Sequence, residues 1–145
     1  MDDTGGYIPS PFTFSADQVQ QYEESGGRVG GTLEGKPVVI LTTRGRHTGA
    51  VRKAPLMRVE HDGRYVVVAS MGGAPSHPVW YLNLLAHPDV RLQDGERVMD
   101  LRARPATEAE RREWWPRATA AWPPYDEYQA RTEREIPVVI LEPVS

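Results

Sequence analysis

Three short segments hold the residue types that could do chemistry, and each supplies a different part of a binding site. In Thr43-Arg44-Gly45-Arg46-His47-Thr48-Gly49-Ala50-Val51-Arg52-Lys53, glycines bracket basic and polar residues. Glycine lets backbone N–H groups turn toward an anion, and arginine offers a planar pair of donors, so the segment suits a phosphate or carboxylate. Its spacing is not that of a P-loop, and a plain hairpin loop with exposed arginines is the competing reading. In Ala69-Ser70-Met71-Gly72-Gly73-Ala74-Pro75-Ser76-His77-Pro78-Val79-Trp80-Tyr81-Leu82-Asn83, small residues lead into a helix. They let a flat molecule approach the backbone, with Trp80 as an aromatic face and free N–H groups at the helix start. The alternative is that Trp80 and Tyr81 cap a core. Trp122-Pro123-Pro124-Tyr125-Asp126-Glu127-Tyr128 is a rigid aromatic surface. It either roofs a pocket for a flat organic substrate or packs against the sheet.

Other chemistries are excluded. The chain has no cysteine, so disulfides, thiolate nucleophiles and Cys-ligated metals are out. His47, His61, His77 and His87 have no ligand spacing, and no metal is expected. There is no Gly-x-Ser-x-Gly elbow and no convincing nucleophile with a base. The chain reads as one that binds a reactive group rather than supplying it.

Charge supports the anion reading. The net charge is −3, yet residues 35–64 carry seven basic and two acidic groups, and Gly35 to Val59 holds six basic residues and no acid. An acidic chain that keeps one segment free of acids concentrates an attractive field there. A solvated strand edge is the plainer alternative. Broad nucleic-acid binding is not expected, because residues 1–34 and 89–145 are net negative and would repel a phosphate backbone.

These segments need elements to position them. At 145 residues the chain is expected to be a single domain, irregular over about residues 1–14. Ser15 with Gln18 reads as the capping box of a helix that ends at Gly26-Gly27. Strands are expected at 37–43, 51–60 and 64–70, the last two joined at Asp62-Gly63. A helix over 78–87 follows. A second hairpin joins 89–93 to 96–104 around Asp94-Gly95. Thr107 with Glu110 caps a helix that Pro116 should kink or shorten. A short helix near 126–131 and a strand at 136–141 close the chain. Hairpins imply antiparallel pairing. A small mainly β barrel with helices packed outside hides the sheet edges. The acidic start Met1-Asp2-Asp3 and the lack of an 18-residue apolar run argue against a signal peptide or a spanning helix, and point to the cytoplasm.

The segments Leu41-Thr42-Thr43-x-Gly45-Arg46-x-Thr48-Gly49-x-x-Arg52, Ala69-Ser70-x-Gly72-Gly73 and Pro78-x-Trp80-Tyr81-Leu82-Asn83-Leu84 recur in one known family. With Tyr125-x-x-Tyr128-Gln129 and Arg134-x-Ile136-Pro137, they resemble the deazaflavin-dependent nitroreductase family of actinobacteria over roughly residues 25–143. The resemblance implies an α+β split β-barrel like that of flavin reductases and pyridoxamine oxidases. It implies coenzyme F420, an 8-hydroxy-5-deazaflavin with an acidic tail, which passes a hydride to a quinone or nitroaromatic-like acceptor. FMN is the rival coenzyme on this fold, and a non-catalytic coenzyme or lipid carrier is the rival function. By resemblance Arg46, His47, Thr48, Arg52, Lys53, Pro55, Ala69, Ser70, Met71, Gly72, Gly73, Trp80 and Asn83 belong to the coenzyme site. His47 and Met71 replace lysines of a relative. Met57, Trp122, Tyr125 and Tyr128 belong to the acceptor pocket. Positions 57 and 122 carry Tyr in the prodrug-activating branch, so Met57 and Trp122 count against nitroimidazole activation. Ser70 and Tyr125 are the candidate donors of a hydrogen bond or proton to the acceptor, with bound water as the alternative proton source. No nucleic-acid partner and no stable membrane insertion are implied, although peripheral membrane contact and a homodimer fit the resemblance.

Overall fold

The computed structural model describes residues 13–144, so most of the segment expected to be irregular, residues 1–12 of about 1–14, lies outside the described residues. In chain order the elements are α1 (Thr13–Ser25), β1 (Thr32–Leu33), β2 (Lys36–Arg44), β3 (Val51–Met57), β4 (Val59–His61), β5 (Arg64–Val68), α2 (Val79–Ala86), β6 (Asp89–Asp94), β7 (Arg97–Pro105), α3 (Glu108–Ala121), α4 (Tyr125–Arg131) and β8 (Val138–Pro143).

β2, β5 and β8 read as unbroken apolar runs because both of their faces are covered. One face, with Val39, Leu41, Tyr65, Val67, Val139 and Leu141, joins Val90, Leu92, Leu101 and Ala103 inside the barrel, where Tyr81 and Leu84 of α2 plug one end. The alternating face, with Val38, Ile40, Val66, Val68, Val138 and Ile140, packs under α1, α3 and α4 through Val19, Tyr22, Trp114 and Tyr125. This is the period-two consequence of the pleat.

Every strand pair is antiparallel, in the order β1-β2-β6-β7-β8-β5-β4, with β3 on the other side of β2. β3 and β4 are one strand bent at Arg58, whose N–H donates to the Pro37 carbonyl at 3.0 Å. The bend carries the strand from β2 across to β5 and closes the ring. Upstream of the bend, β3 pairs with β2 alone. Pro55 lies on that stretch and has no N–H to offer a second neighbour, so the barrel stays split there. The split barrel is therefore the architecture observed.

Four local expectations are corrected. The expected strand 51–60 breaks at Arg58. α1 begins at Thr13, which places Ser15 inside the helix, and the Gln18 amide instead donates to the carbonyls of Gly30 (2.9 Å) and Thr32 (3.1 Å). β8 starts at Val138 rather than residue 136, because the Ile136 N–H is taken by Gln129 Oε1 of α4 at 2.8 Å. In the second hairpin Asp94 pairs with Arg97, so the loop is Gly95-Glu96. The capping box of α3 forms as read, and the helix runs through Pro116 to Ala121 without being shortened. Its buried Trp114 and Ala118 hold it to the sheet across the missing N–H. Among the described residues no helix is long and apolar enough to cross a membrane.

Candidate active site

The split in the barrel is a slot of about 480 Å³. Its wall is β3 from Lys53 to Met57. Its floor is Val68, Ser70, Met71 and Gly72, its flank Pro78 and Trp80, and its roof Trp122, Tyr125 and Tyr128. Ten of the residues read from the sequence meet here: Lys53, Pro55, Met57, Ser70, Met71, Gly72, Trp80, Trp122, Tyr125 and Tyr128. Apolar and aromatic walls with a few placed polar groups suit a flat organic molecule.

The roof follows from the chain break between α3 and α4. Trp122 closes α3 with its N–H on the Ala118 carbonyl at 2.8 Å, and Pro123-Pro124 turns the chain into Tyr125. The Tyr125 and Tyr128 rings meet edge to face, with centroids 6.2 Å apart. Trp122 Nε1 donates to the Tyr128 hydroxyl at 3.4 Å. Burial, and then the neighbouring Tyr128, push the Tyr125 hydroxyl far above the usual phenol range. It therefore stays protonated at neutral pH and can donate a hydrogen bond.

The floor is a tight turn after β5. Met71, Gly72 and Gly73 have φ of 47°, 64° and 82°, three left-handed residues in succession. Gly72 faces open space, whereas a Cβ on Gly73 would lie 2.8 Å from the Tyr128 carbonyl oxygen. Gly73 therefore lets the turn rest on α4 and does not line the slot. Ala69 is fully buried and faces the barrel interior. Ser70 is nearly buried at the slot floor.

The basic turn joins β2 to β3 at the far end of the slot wall. Gly45 N–H donates to Ala50 O at 2.7 Å and Gly49 N–H to Gly45 O at 2.8 Å. Asn83 is also outside the slot: buried on α2, its Oδ1 accepts the Arg46 N–H at 3.1 Å and docks the turn on that helix. The side chains of Arg46, His47 and Thr48 are exposed, with Arg46 Nε donating to His47 Nε2 at 3.1 Å and Thr48 Oγ1 accepting the Ala50 N–H at 3.2 Å. Arg52 and Lys53 point to opposite faces of β3. Lys53 Nζ meets Glu23 of α1 at 2.7 Å. Glu23 was not legible from the sequence, because its contact lies 30 positions away. Among the described residues no cluster of three or more His, Cys, Asp or Glu is placed to hold a metal.

Comparison with known proteins agrees with this geometry. The sequence model of the F420H(2)-dependent quinone reductase family matches residues 15–143. A putative F420H(2)-dependent quinone reductase of Mycobacterium tuberculosis H37Rv is 39% identical over 107 residues, covering 74% of this chain and 90% of the relative. The solved structure of an F420H2-dependent reductase is 51% identical, with a TM-score of 0.70 over 73% of this chain and 94% of its own. A chain solved as a domain-swapped dimer is 44% identical, with a TM-score of 0.73 over 92% of this chain and 100% of its own. On this evidence from slot, barrel and sequence together, the chain belongs to the F420H(2)-dependent quinone reductase family.

Proposed function

We propose that the protein transfers a hydride from reduced coenzyme F420 to a quinone or a similar electron-poor acceptor. One observation carries the reading: the strand that walls a flat aromatic slot continues directly into an acid-free, glycine-opened basic turn. A flat ring with an acidic tail is the ligand such a site fits. When bound, the coenzyme supplies the hydride from its C5 carbon.

The rest is work for the chain's own residues. Arg46, His47, Thr48 and Arg52 grip the acidic tail, with Lys53 at the slot's end of the same strand. Pro55, Ser70, Met71, Gly72 and Trp80 hold the ring. Ala69, Gly73 and Asn83 act from behind, shaping the floor and docking the turn. Met57, Trp122, Tyr125 and Tyr128 enclose the acceptor and exclude water. Holding donor and acceptor carbons at about 3–3.5 Å supplies most of the acceleration. Negative charge develops on the acceptor oxygen, where Ser70 and Tyr125 donate hydrogen bonds. Burial raises the Tyr125 hydroxyl above the usual phenol range, which favours water over Tyr125 as the source of the proton that neutralises the product.

The same reading puts the protein in the cytoplasm, in peripheral contact with membranes that carry quinones. It acts as a homodimer, as supported by the relative solved in dimeric form. Steady-state oxidation of the reduced coenzyme by a panel of quinones tests the activity. Saturable turnover is expected. Tight coenzyme binding with no turnover identifies a carrier and refutes the proposal.

A further inference from the structure

The slot floor and roof are separate pieces of chain, the turn after β5 and helix α4. Beside the backbone contact of Gly73 with Tyr128, one side chain outside the slot ties them together. Arg134 lies in the segment between α4 and β8, and its guanidinium reaches four acceptors on the turn and its exit. Nε donates to Ala74 O at 2.9 Å, Nη2 to Ser70 O at 2.7 Å, and Nη1 to Ala69 O at 3.1 Å and to His77 Nδ1 at 3.1 Å. Its own carbonyl accepts from Gln129 Nε2 of α4 at 2.9 Å. Gln129 Oε1 is in turn held by Arg111 Nη2 at 2.9 Å and by the Ile136 N–H at 2.8 Å. The backbone of Arg134 is thus fixed to the roof helix while its side chain is fixed to the floor.

We propose that Arg134 is a positioning residue that sets the gap between the Ser70–Gly72 floor and the Tyr125–Tyr128 roof, and so the grip on the coenzyme ring. The inference rests on the reading of the slot given above. Every partner of the guanidinium on this turn is an uncharged acceptor, so the planar fork is what matters rather than a counter-ion. Lysine carries the same charge but presents its donors from a single atom and cannot span three carbonyls and a ring nitrogen. The turn needs such a clamp. It holds three consecutive left-handed residues, one of them Met71, a conformation costly for a side-chain-bearing residue.

The test compares the full chain with Arg134→Gln, Arg134→Lys and Arg104→Gln. Arg104 makes an equally short fork, to Glu110 and Glu142 at 2.7 Å, and lines no part of the slot. It controls for general loss of stability. Oxidised coenzyme F420 is titrated and followed by quenching of tryptophan fluorescence, since Trp80 and Trp122 border the slot. Both Arg134 variants are expected to bind about tenfold more weakly or worse, within about threefold of each other. Arg104→Gln is expected to bind like the parent despite a lower Tm. In turnover assays the KM for reduced coenzyme rises with the Arg134 variants while kcat at saturation stays within about threefold.

Wild-type affinity in Arg134→Lys overturns the inference, because charge alone would then suffice. A loss of affinity in Arg104→Gln that tracks its Tm overturns it as well. If the Arg134 variants do not fold, the parent decides. The Arg134 Nε–H resonance should move on adding coenzyme while that of Arg104 stays, and an unmoved Arg134 signal refutes the inference. A parent chain that binds no coenzyme at all is a different result, which sinks the proposed function itself.

Discussion

Gly72 and Gly73 are adjacent, both are left-handed, and they should respond very differently to a methyl group. At Gly72 (φ 64°) an added Cβ meets nothing within 4 Å. Alanine there bears only the left-handed backbone cost of about 1–2 kcal/mol. At Gly73 (φ 82°) the same Cβ would lie 2.8 Å from Tyr128 O and 2.9 Å from Tyr128 Cα. Both are backbone atoms of α4, so no side chain can swing away. Overpacking of about 1–3 kcal/mol adds to the backbone cost, for a total of about 2–5 kcal/mol. At roughly 3 °C per kcal/mol for a chain of this size, Gly73→Ala should lower Tm by about 6–15 °C and Gly72→Ala by about 3–6 °C. Urea unfolding of both variants supplies the free energies, and the m-value checks two-state behaviour. Gly73→Ala should also widen the slot and weaken coenzyme binding, since it pushes the floor away from Tyr128. Equal destabilisation in the two variants refutes the claim that Gly73 exists for α4.

Arg52→Ala should weaken coenzyme binding by roughly 1.5–3 kcal/mol, read by calorimetry, with Tm little changed. An unchanged Kd removes Arg52 from the tail site. Tyr125→Phe should lower turnover by about a hundredfold with Kd within about twofold, as for loss of one donor to a developing oxyanion. A collapse in affinity moves Tyr125 into the coenzyme shell. Glu110 closes the α3 capping box and takes the Arg104 fork at 2.7 Å, which together hold its carboxyl at about 2 instead of 4.5. A depressed folded pKa stabilises above the unfolded value and the effect is lost as pH falls toward the folded one. With Arg104 38% exposed, screening limits the effect, and Glu110→Gln should cost about 1–2 kcal/mol at pH 7. That gap should hold down to about pH 5 and close between pH 4.5 and 2. A gap that persists at pH 2 contradicts the charge-based account.

Much of this was legible because local signals and burial agreed. The apolar runs of β2 and β5, the Asp62-Gly63 turn with φ of 53° and 78°, and the Thr107–Glu110 capping box depend on residues within a few positions of one another. The three chemical segments were also readable, since aromatic, glycine and arginine residues cluster within each. What failed depended on distant contacts. Gln18 caps nothing locally because carbonyls at Gly30 and Thr32 claim its amide. Ile136 is drawn out of β8 by Gln129. The contacts of Asn83 with the basic turn and of Gly73 with α4 are equally distant, and no local signal shows them. A glycine that makes room for a ligand and one that makes room for backbone look alike in sequence. Arg134 stood in a recognised segment, but only the folded chain shows that four acceptors converge on it.

The central claim is that the slot and the basic turn together hold coenzyme F420. Calorimetric titration of the purified protein with oxidised and reduced coenzyme, at low and high salt and in competition with FMN, tests it most directly. One site per chain is expected, with affinity that falls as salt rises and that FMN does not displace. No heat in either redox state, or ready displacement by FMN, contradicts it.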